Sequence, residues 1–142
     1  GMSYTTFAYE KLRMSSKTVP RGGRVTVSFD VVNTGTRAGA EVAQVYVTDC
    51  ASLLPRPVKE LKGFAKVVLK AGERATVKIV LDEKALQFYH PERKKWIAEP
   101  GTFSVLVGAS SADIRLRGSF EYGGARAKRA AARPARRRKS RA

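Results

Sequence analysis

The chain has 142 residues, a length typical of one domain, with 28 Lys and Arg residues against 12 Asp and Glu residues. The formal net charge is +16, and the single Cys excludes an intrachain disulfide and a Cys-based zinc site. Apolar runs are only a few residues long, which excludes a transmembrane helix and argues against a membrane partner. No apolar stretch with a charged leader is visible, so no signal peptide is predicted.

Positive charge is concentrated at the C-terminal end of the sequence. Residues 124–142 contain seven Arg, two Lys and no acidic residue, so they carry +9 and leave +7 for residues 1–123. They also contain no large apolar side chain, and burial therefore cannot offset the entropy lost on ordering them. We predict one folded domain at 1–123 and a disordered basic tail at 124–142.

Alternation of apolar and polar residues predicts a series of short strands in the first 123 residues. In chain order, the alternating segments are 24–32, 41–48, 75–81, 103–107 and 114–122. Short strands separated by turn signals indicate an all-β fold of two packed antiparallel sheets. The residues predicted to fill the core between them are Val27, Phe29, Val45, Val77, Ile79, Phe103 and Val105.

Three stretches between these segments have other signals. Asn33–Thr36 is predicted to turn because Asn and Gly tolerate a positive φ. Residues 49–58, which include Pro55 and Pro57, are predicted to form an extended loop. Asp82 is followed by good helix formers up to Leu86, which predicts a single helical turn with Asp82 as its N-cap.

Several longer motifs occur in a fixed order: Val31–Gly35, Ala38–Val47, Arg56–Phe64, Val68–Glu73, Trp96–Phe103 and Val107–Arg115. Together they resemble the fibronectin type III-like domain of family 3 glycoside hydrolases over residues 1–122. Residues 1–7 resemble the joint at which the preceding catalytic region of those enzymes hands over to this domain. The resemblance implies an immunoglobulin- or fibronectin type III-like β-sandwich.

The same resemblance implies a non-catalytic accessory domain that braces the catalytic domains of a β-glucosidase-like parent enzyme. Family 3 enzymes are mostly retaining β-glucosidases and β-xylosidases, whose Asp nucleophile and Glu acid/base lie in two other domains. No position in this chain matches either carboxylate, so we predict no catalytic residue, no metal and no cofactor. The resemblance leaves the compartment open between extracellular, periplasmic and cytoplasmic.

A proline-braced segment is predicted to dock this domain on its neighbours. Prolines limit the freedom that a loop loses on binding, and a crossover between two sheets must run over the surface. The predicted docking loop comprises Arg56, Pro57, Lys59, Glu60, Leu61 and Phe64. A purely structural crossover is the alternative interpretation of this segment.

A stand-alone binding module is the second reading of the sequence. Trp96 and Tyr89 are candidates for stacking on the sugar rings of a polysaccharide, although for Trp96 we favour core packing because large aromatics supply much of a sandwich's buried area. A polyanion would instead be bound by Arg136, Arg137, Arg138 and Lys139, through phosphate contacts without sequence specificity. The tail has no aromatic residue, so base stacking on nucleic acid is not expected.

A small free-standing glycosidase is the third reading. It would need two carboxyl groups roughly 5 Å apart for a retaining mechanism. The acidic candidates are interpreted instead as solvated turn and cap residues: Asp30, Asp49, Asp82, Glu83, Glu99 and Asp113. His90 is interpreted as a surface residue and Cys50 as a bystander thiol, because neither has a partner set in the sequence.

Overall fold

The computed structural model describes residues 5–50 and 58–123, and within them the chain is all-β, as predicted. The strands are β1 (Phe7–Met14), β2 (Thr18–Val19), β3 (Val25–Asn33), β4 (Gly39–Asp49), β5 (Lys59–Leu69), β6 (Arg74–Leu81), β7 (Phe88–His90), β8 (Lys95–Ile97), β9 (Gly101–Ser110) and β10 (Asp113–Tyr122). A three-stranded sheet has the order β1-β3-β6, a five-stranded sheet has the order β2-β10-β9-β4-β5, and β7 and β8 form a separate hairpin. β2 runs parallel to β10, whereas the other pairs are antiparallel.

The tail at 124–142, which was predicted to be disordered, lies outside the described residues. The same holds for Pro55 and Pro57 in the predicted loop. The part of the chain that the structure describes contains no apolar helix of membrane-spanning length.

The core forms where the apolar faces of the two sheets meet. Six of the seven predicted core residues are buried, and Ile79 is partly buried against the same cluster. Aromatic rings fill much of this space: Phe103 stacks on Phe120 with ring centroids 5.7 Å apart, and the edge of one ring meets the face of the other where Phe103 packs on Tyr122. Phe29 stacks on Tyr9 of β1 at 6.1 Å. The inward-facing positions predicted from alternation are therefore confirmed for β3, β4, β6, β9 and β10.

The loop predicted at Arg56–Phe64 is wrong from Lys59 onward, because Lys59–Leu69 forms the 11-residue strand β5. Its alternation is broken by a bulge: Val45 pairs with Gly63 but the adjacent Tyr46 pairs with Leu61, so one extra residue, Lys62, interrupts the register. As a result Leu61 and Phe64, three residues apart, are both exposed. Strict alternation of apolar and polar residues therefore does not identify this strand in the sequence.

Strand β1 was missed for a similar reason. Its pairing with β3 shifts between Glu10 and Arg13, and Lys11 within the shift has a φ of 58°. The irregularity interrupts the alternation of a strand that is also rich in charged residues. The segment after the predicted joint is therefore an integral edge of the three-stranded sheet.

The buried side chain of Asn33 joins the end of β3 to three other segments. Its Nδ2 donates hydrogen bonds to the backbone oxygens of Arg37, at 2.8 Å, and Leu69, at 3.0 Å. Its Oδ1 accepts hydrogen bonds from Thr5 Oγ1, at 2.7 Å, and Gly35 N, at 2.9 Å. All of its amide groups thus have partners, as burial requires.

The turn after Asn33 exists as predicted, but the reason given for it is wrong. Neither Asn33 nor Gly35 has a positive φ. Gly35 is instead required by close packing, because a Cβ atom there would lie 2.0 Å from Thr5 Oγ1. The backbone of Asn33 also bonds the next turn: its N donates to Glu73 O, and Gly72 N donates to its O.

The interpretation of Asp30 as a solvated turn residue is wrong, because this carboxylate is buried within β3 on the outer face of the three-stranded sheet. Asp30 accepts hydrogen bonds from Arg74, at 3.0 Å, and Thr76, at 2.9 Å, and Arg13 lies 3.6 Å away. Glu10 pairs with the same Arg74. Burial alone would raise the pKa of Asp30, but the two hydrogen bonds and the charges of Arg13 and Arg74 outweigh burial and hold that pKa below its usual value.

We expect Asn33→Ala to lower the free energy of unfolding by about 3 kcal/mol, because it leaves buried backbone oxygens without donors. Chemical denaturation of both proteins measures the difference. Thr36→Ala, an exposed position in the same turn, is the matched control and should change stability by less than about 0.5 kcal/mol. Equal effects of the two substitutions would contradict the role assigned to the amide.

Asp30→Asn should produce a pH-dependent loss of stability. The folded-state pKa is lowered, so ionised Asp30 stabilises the fold above the unfolded-state pKa of about 3.9, and this contribution is lost as the pH falls through the folded-state pKa. The difference in unfolding free energy between wild type and variant should be constant above about pH 5 and shrink on acidification. Asp113→Asn, at an exposed ion pair, should give a much smaller difference.

Candidate docking surface and aromatic hairpin

An apolar stripe lies on the outer face of the five-stranded sheet, along β4 and the edge strand β5. It consists of Val42, Leu61, Phe64 and Val68, of which Phe64 is 68% and Val68 71% exposed. Val42 is paired with Lys66, which lies between Phe64 and Val68 on β5, so these side chains are neighbours on one face. Contiguous exposed apolar side chains are typical of an interaction surface.

Two lysines accompany this apolar stripe, Lys59 near one end of it and Lys66 within it. The Lys59 ammonium lies 5.7 Å from the ring centroid of Tyr46 and donates a hydrogen bond to Ser111 O at 2.7 Å. Lys66, in the middle of the stripe, is exposed. Positive charge therefore accompanies the exposed apolar side chains of this face.

The structure separates the residues of the predicted docking loop. Leu61 and Phe64 belong to the apolar stripe, and Lys59 borders it. Glu60 instead forms an ion pair with Lys62 at 2.9 Å. Arg56 and Pro57 lie outside the described residues, and docking itself stays a prediction.

The bulged residue Lys62 fixes the β7–β8 hairpin to the sandwich. Its side chain is only 12% exposed, its Nζ donates a hydrogen bond to Gln87 O at 3.1 Å, and it lies 4.7 Å from the ring centroid of Phe88. Phe88 in turn packs on Phe103 of the core, with ring centroids 6.3 Å apart. The hairpin is thus anchored through its first strand.

An aromatic pair occupies the opposite side of this hairpin. Tyr89 and Trp96 are direct cross-strand partners, with ring centroids 5.8 Å apart and ring planes at 69°. Tyr89 is 47% and Trp96 55% exposed, so the core position favoured for Trp96 is wrong. The hairpin lies outside both sheets and directs Phe88 toward the core. Side chains alternate along a strand, so Tyr89, which follows Phe88, points to solvent together with its cross-strand partner Trp96.

Several carboxylates considered for hydrolysis have structural partners. Asp82 accepts a hydrogen bond from Ala85 N at 2.9 Å, which confirms its capping role in the turn to Leu86. Asp113 pairs with Arg115 at 3.0 Å, and the hydrogen bonds from Arg115 lower the pKa of Asp113. Across residues 5–50 and 58–123 there is no cluster of three or more His, Cys, Asp or Glu side chains that could hold a metal ion.

Three further groups that can titrate or react also have local contacts. His90 Nδ1 accepts a hydrogen bond from Arg93 N at 3.2 Å inside the hairpin turn. Cys50 is exposed, and its Sγ lies 3.1 Å from Ser104 Oγ. The buried hydroxyl of Tyr9 donates to Glu41 at 2.9 Å, and burial together with this bond raises the pKa of Tyr9.

A family profile described as fibronectin type III-like domain matches residues 41–111. This range begins in β4 and ends just after β9, so it includes the apolar stripe, the helical turn and the aromatic hairpin. The chain belongs to the fibronectin type III-like domain family. The resemblance seen in the sequence motifs is therefore confirmed.

Curated relatives connect this domain with β-glucosidases. The periplasmic β-glucosidase of Salmonella typhimurium is 49% identical over 121 residues, which cover 85% of this chain and 16% of the relative. The β-glucosidase BoGH3A of Bacteroides ovatus is 47% identical over 122 residues, with shares of 86% and 16%. The fibronectin type III-like chain thus spans about a sixth of the length of these relatives.

Solved structures agree with the curated relatives. The β-glucosidase of Listeria innocua in complex with laminaribiose aligns with a TM-score of 0.73 and 40% identity, over 87% of this chain and 17% of that chain. A family 3 β-glucosidase of Bifidobacterium adolescentis aligns with a TM-score of 0.75 and 37% identity, over 88% of this chain and 18% of that chain. The fibronectin type III-like chain corresponds to one accessory domain of such enzymes.

We expect Lys62→Met to loosen the hairpin without unfolding the sandwich, because it removes the hydrogen bond to Gln87 and the cation–π contact with the Phe88 ring. Amide hydrogen exchange should accelerate about tenfold in residues 88–97 and stay unchanged in β3. Lys66→Met, on the exposed side of the same strand, should leave both regions unchanged. Uniform acceleration in β3 and the hairpin would contradict a local role for Lys62.

Proposed function

We propose that this chain is the non-catalytic domain of a family 3 β-glucosidase, and that it braces the catalytic domains through the apolar stripe. The observation that carries the proposal is a stripe of four exposed apolar residues on a domain that makes up 16% of its relatives. An exposed surface of this kind is stabilised when a neighbouring domain covers it.

Covalent connection makes a modest contact sufficient. Two domains of one polypeptide meet at a high effective concentration, so an interface smaller and more polar than that of an obligate dimer holds them together. The apolar stripe with Lys59 and Lys66 beside it has this mixed character.

The start of the described chain supports bracing because it is firmly held. Thr5 bonds to Asn33, and the next residue, Thr6, accepts a hydrogen bond on its backbone oxygen from Thr34 N at 2.8 Å. The Thr6 and Thr34 hydroxyls are also 2.8 Å apart. A preceding domain would thus be connected to a fixed point of the sandwich rather than to a loose end.

The two alternative readings have less support. A polyanion binder depends on Arg136, Arg137, Arg138 and Lys139, which lie outside the described residues. A free-standing glycosidase depends on carboxylates of which Asp30, Asp82 and Asp113 are already engaged in the fold.

The test replaces the matching domain of the Salmonella typhimurium β-glucosidase by this chain. We expect the chimaera to hydrolyse aryl β-glucosides, and Phe64→Asp with Val68→Asp to lower its melting temperature by several degrees, because two charges would then lie in the interdomain contact. Differential scanning calorimetry and the aryl glucoside assay measure the two effects.

Val80→Asp is the matched control for this experiment. Val80 is 53% exposed on β6 of the other sheet, so the same charge there should leave the chimaera unchanged. Equal melting temperatures for the stripe variant and the control would assign the docking surface to another face of the domain.

A further inference from the structure

We propose that Tyr89 and Trp96 form a contact site for a glucopyranose ring of a β-linked oligosaccharide, with Lys62 as the positioning residue of the site. This site is distinct from the apolar stripe proposed for docking. The proposal gives the domain a ligand-binding role in addition to the proposed bracing of the catalytic domains.

The geometry of the pair suits one sugar ring. The two exposed rings meet at 69° with centroids 5.8 Å apart, so they make a corner rather than a flat shelf. A β-linked glucopyranose has equatorial substituents, and its axial C–H groups form apolar faces with a slight positive charge. Such a face complements the electron-rich face of an aromatic ring.

The surroundings of the pair favour a sugar over a protein partner. The apolar stripe offers mainly aliphatic side chains with one isolated aromatic ring, Phe64, whereas the hairpin presents two aromatic rings in direct contact. The turn and strand between Tyr89 and Trp96 also carry the exposed residues Glu92, Arg93 and Lys95, whose side chains can form hydrogen bonds. Apolar ring faces beside polar donors and acceptors are the combination that a pyranose requires.

The hairpin holds the pair in place before a ligand arrives. Lys62 donates a hydrogen bond to Gln87 just before the first strand, Phe88 packs on Phe103, and three residue pairs connect β7 to β8. Rigid aromatic side chains lose little freedom on binding, and a rigid support reduces this loss further. A substitution of Lys62 should therefore weaken binding without removing any group that touches the sugar.

The site also lies far from the point where the chain enters the sandwich. Lys62 contacts the hairpin, whereas Leu69, seven residues further along β5, is bonded to Asn33, which also holds Thr5. Seven strand residues span roughly 23 Å. A domain connected through Thr5 can thus be attached without its joint covering the aromatic pair.

The single Trp of the chain makes the test direct, because all Trp emission comes from Trp96. We expect cellotetraose to change the emission of the full chain saturably, with a dissociation constant on the order of 1 mM for a contact with about one ring. Sorbitol, a polyol without a ring face, should cause no saturable change. A flat titration with cellotetraose up to about 50 mM, some fiftyfold above that constant, would overturn the proposal.

Variants separate the site from the rest of the surface. Tyr89→Ala retains the fluorescent Trp96 and should raise the dissociation constant about tenfold, and Trp96→Ala, followed by calorimetry, should abolish measurable binding. Lys62→Met should raise the constant several-fold, whereas Phe64→Ala, at an exposed aromatic of the apolar stripe, should not change it. A loss of binding in Phe64→Ala equal to that in Tyr89→Ala would overturn the assignment.

A protein partner at the aromatic pair is the competing outcome, and the chimaera detects it. If Trp96→Ala lowers the melting temperature of the chimaera as much as the double substitution at Phe64 and Val68, the pair is an interdomain contact and the sugar site is wrong. The cellotetraose titration uses this chain alone, so it fails or succeeds independently of the docking proposal.

Discussion

The buried amide of Asn33 is the interaction on which one end of the sandwich depends. Both sheets and the start of the described chain meet at this side chain, since it bonds Leu69 of the five-stranded sheet and Thr5 while its backbone ends β3. A buried amide destabilises the fold unless its donors and acceptor are hydrogen-bonded, and in Asn33 they all are. Its backbone bonds with Gly72 and Glu73 place the next turn against the same point.

At the opposite end of β5, the contacts are made by the charged side chain of Lys62 rather than by an amide. Lys62 leaves the regular register of the strand and connects it to the hairpin that follows the helical turn. One irregular residue thereby converts a short, weakly paired hairpin into a supported element. The two surfaces for which we propose functions are the apolar stripe between these two ends and the aromatic pair beyond the second.

Sequence patterns predicted the strands whose apolar alternation is unbroken, including β10 despite its register shifts, and missed strands in which a bulge changes the phase of the alternation. Phe29 and Phe103 are on faces with clean alternation, so their burial could be derived from spacing alone. The shifts at Lys11 and Lys62 change the phase of the pattern, and so neither β1 nor β5 was predicted. Trp96 was misjudged because its size indicates burial, whereas its exposure depends on a three-residue strand outside both sheets.

The edge position of β5 has a consequence for the behaviour of the domain in solution. An 11-residue strand at the end of a sheet presents unpaired backbone groups, and apolar side chains on its outer face would favour pairing with another molecule. The bulge at Lys62 interrupts the straight hydrogen-bonding edge that such pairing requires. Lys59 and Lys66 add charges that a second strand would have to desolvate on pairing with β5. The edge strand can therefore expose apolar side chains on its outer face while resisting edge-to-edge aggregation.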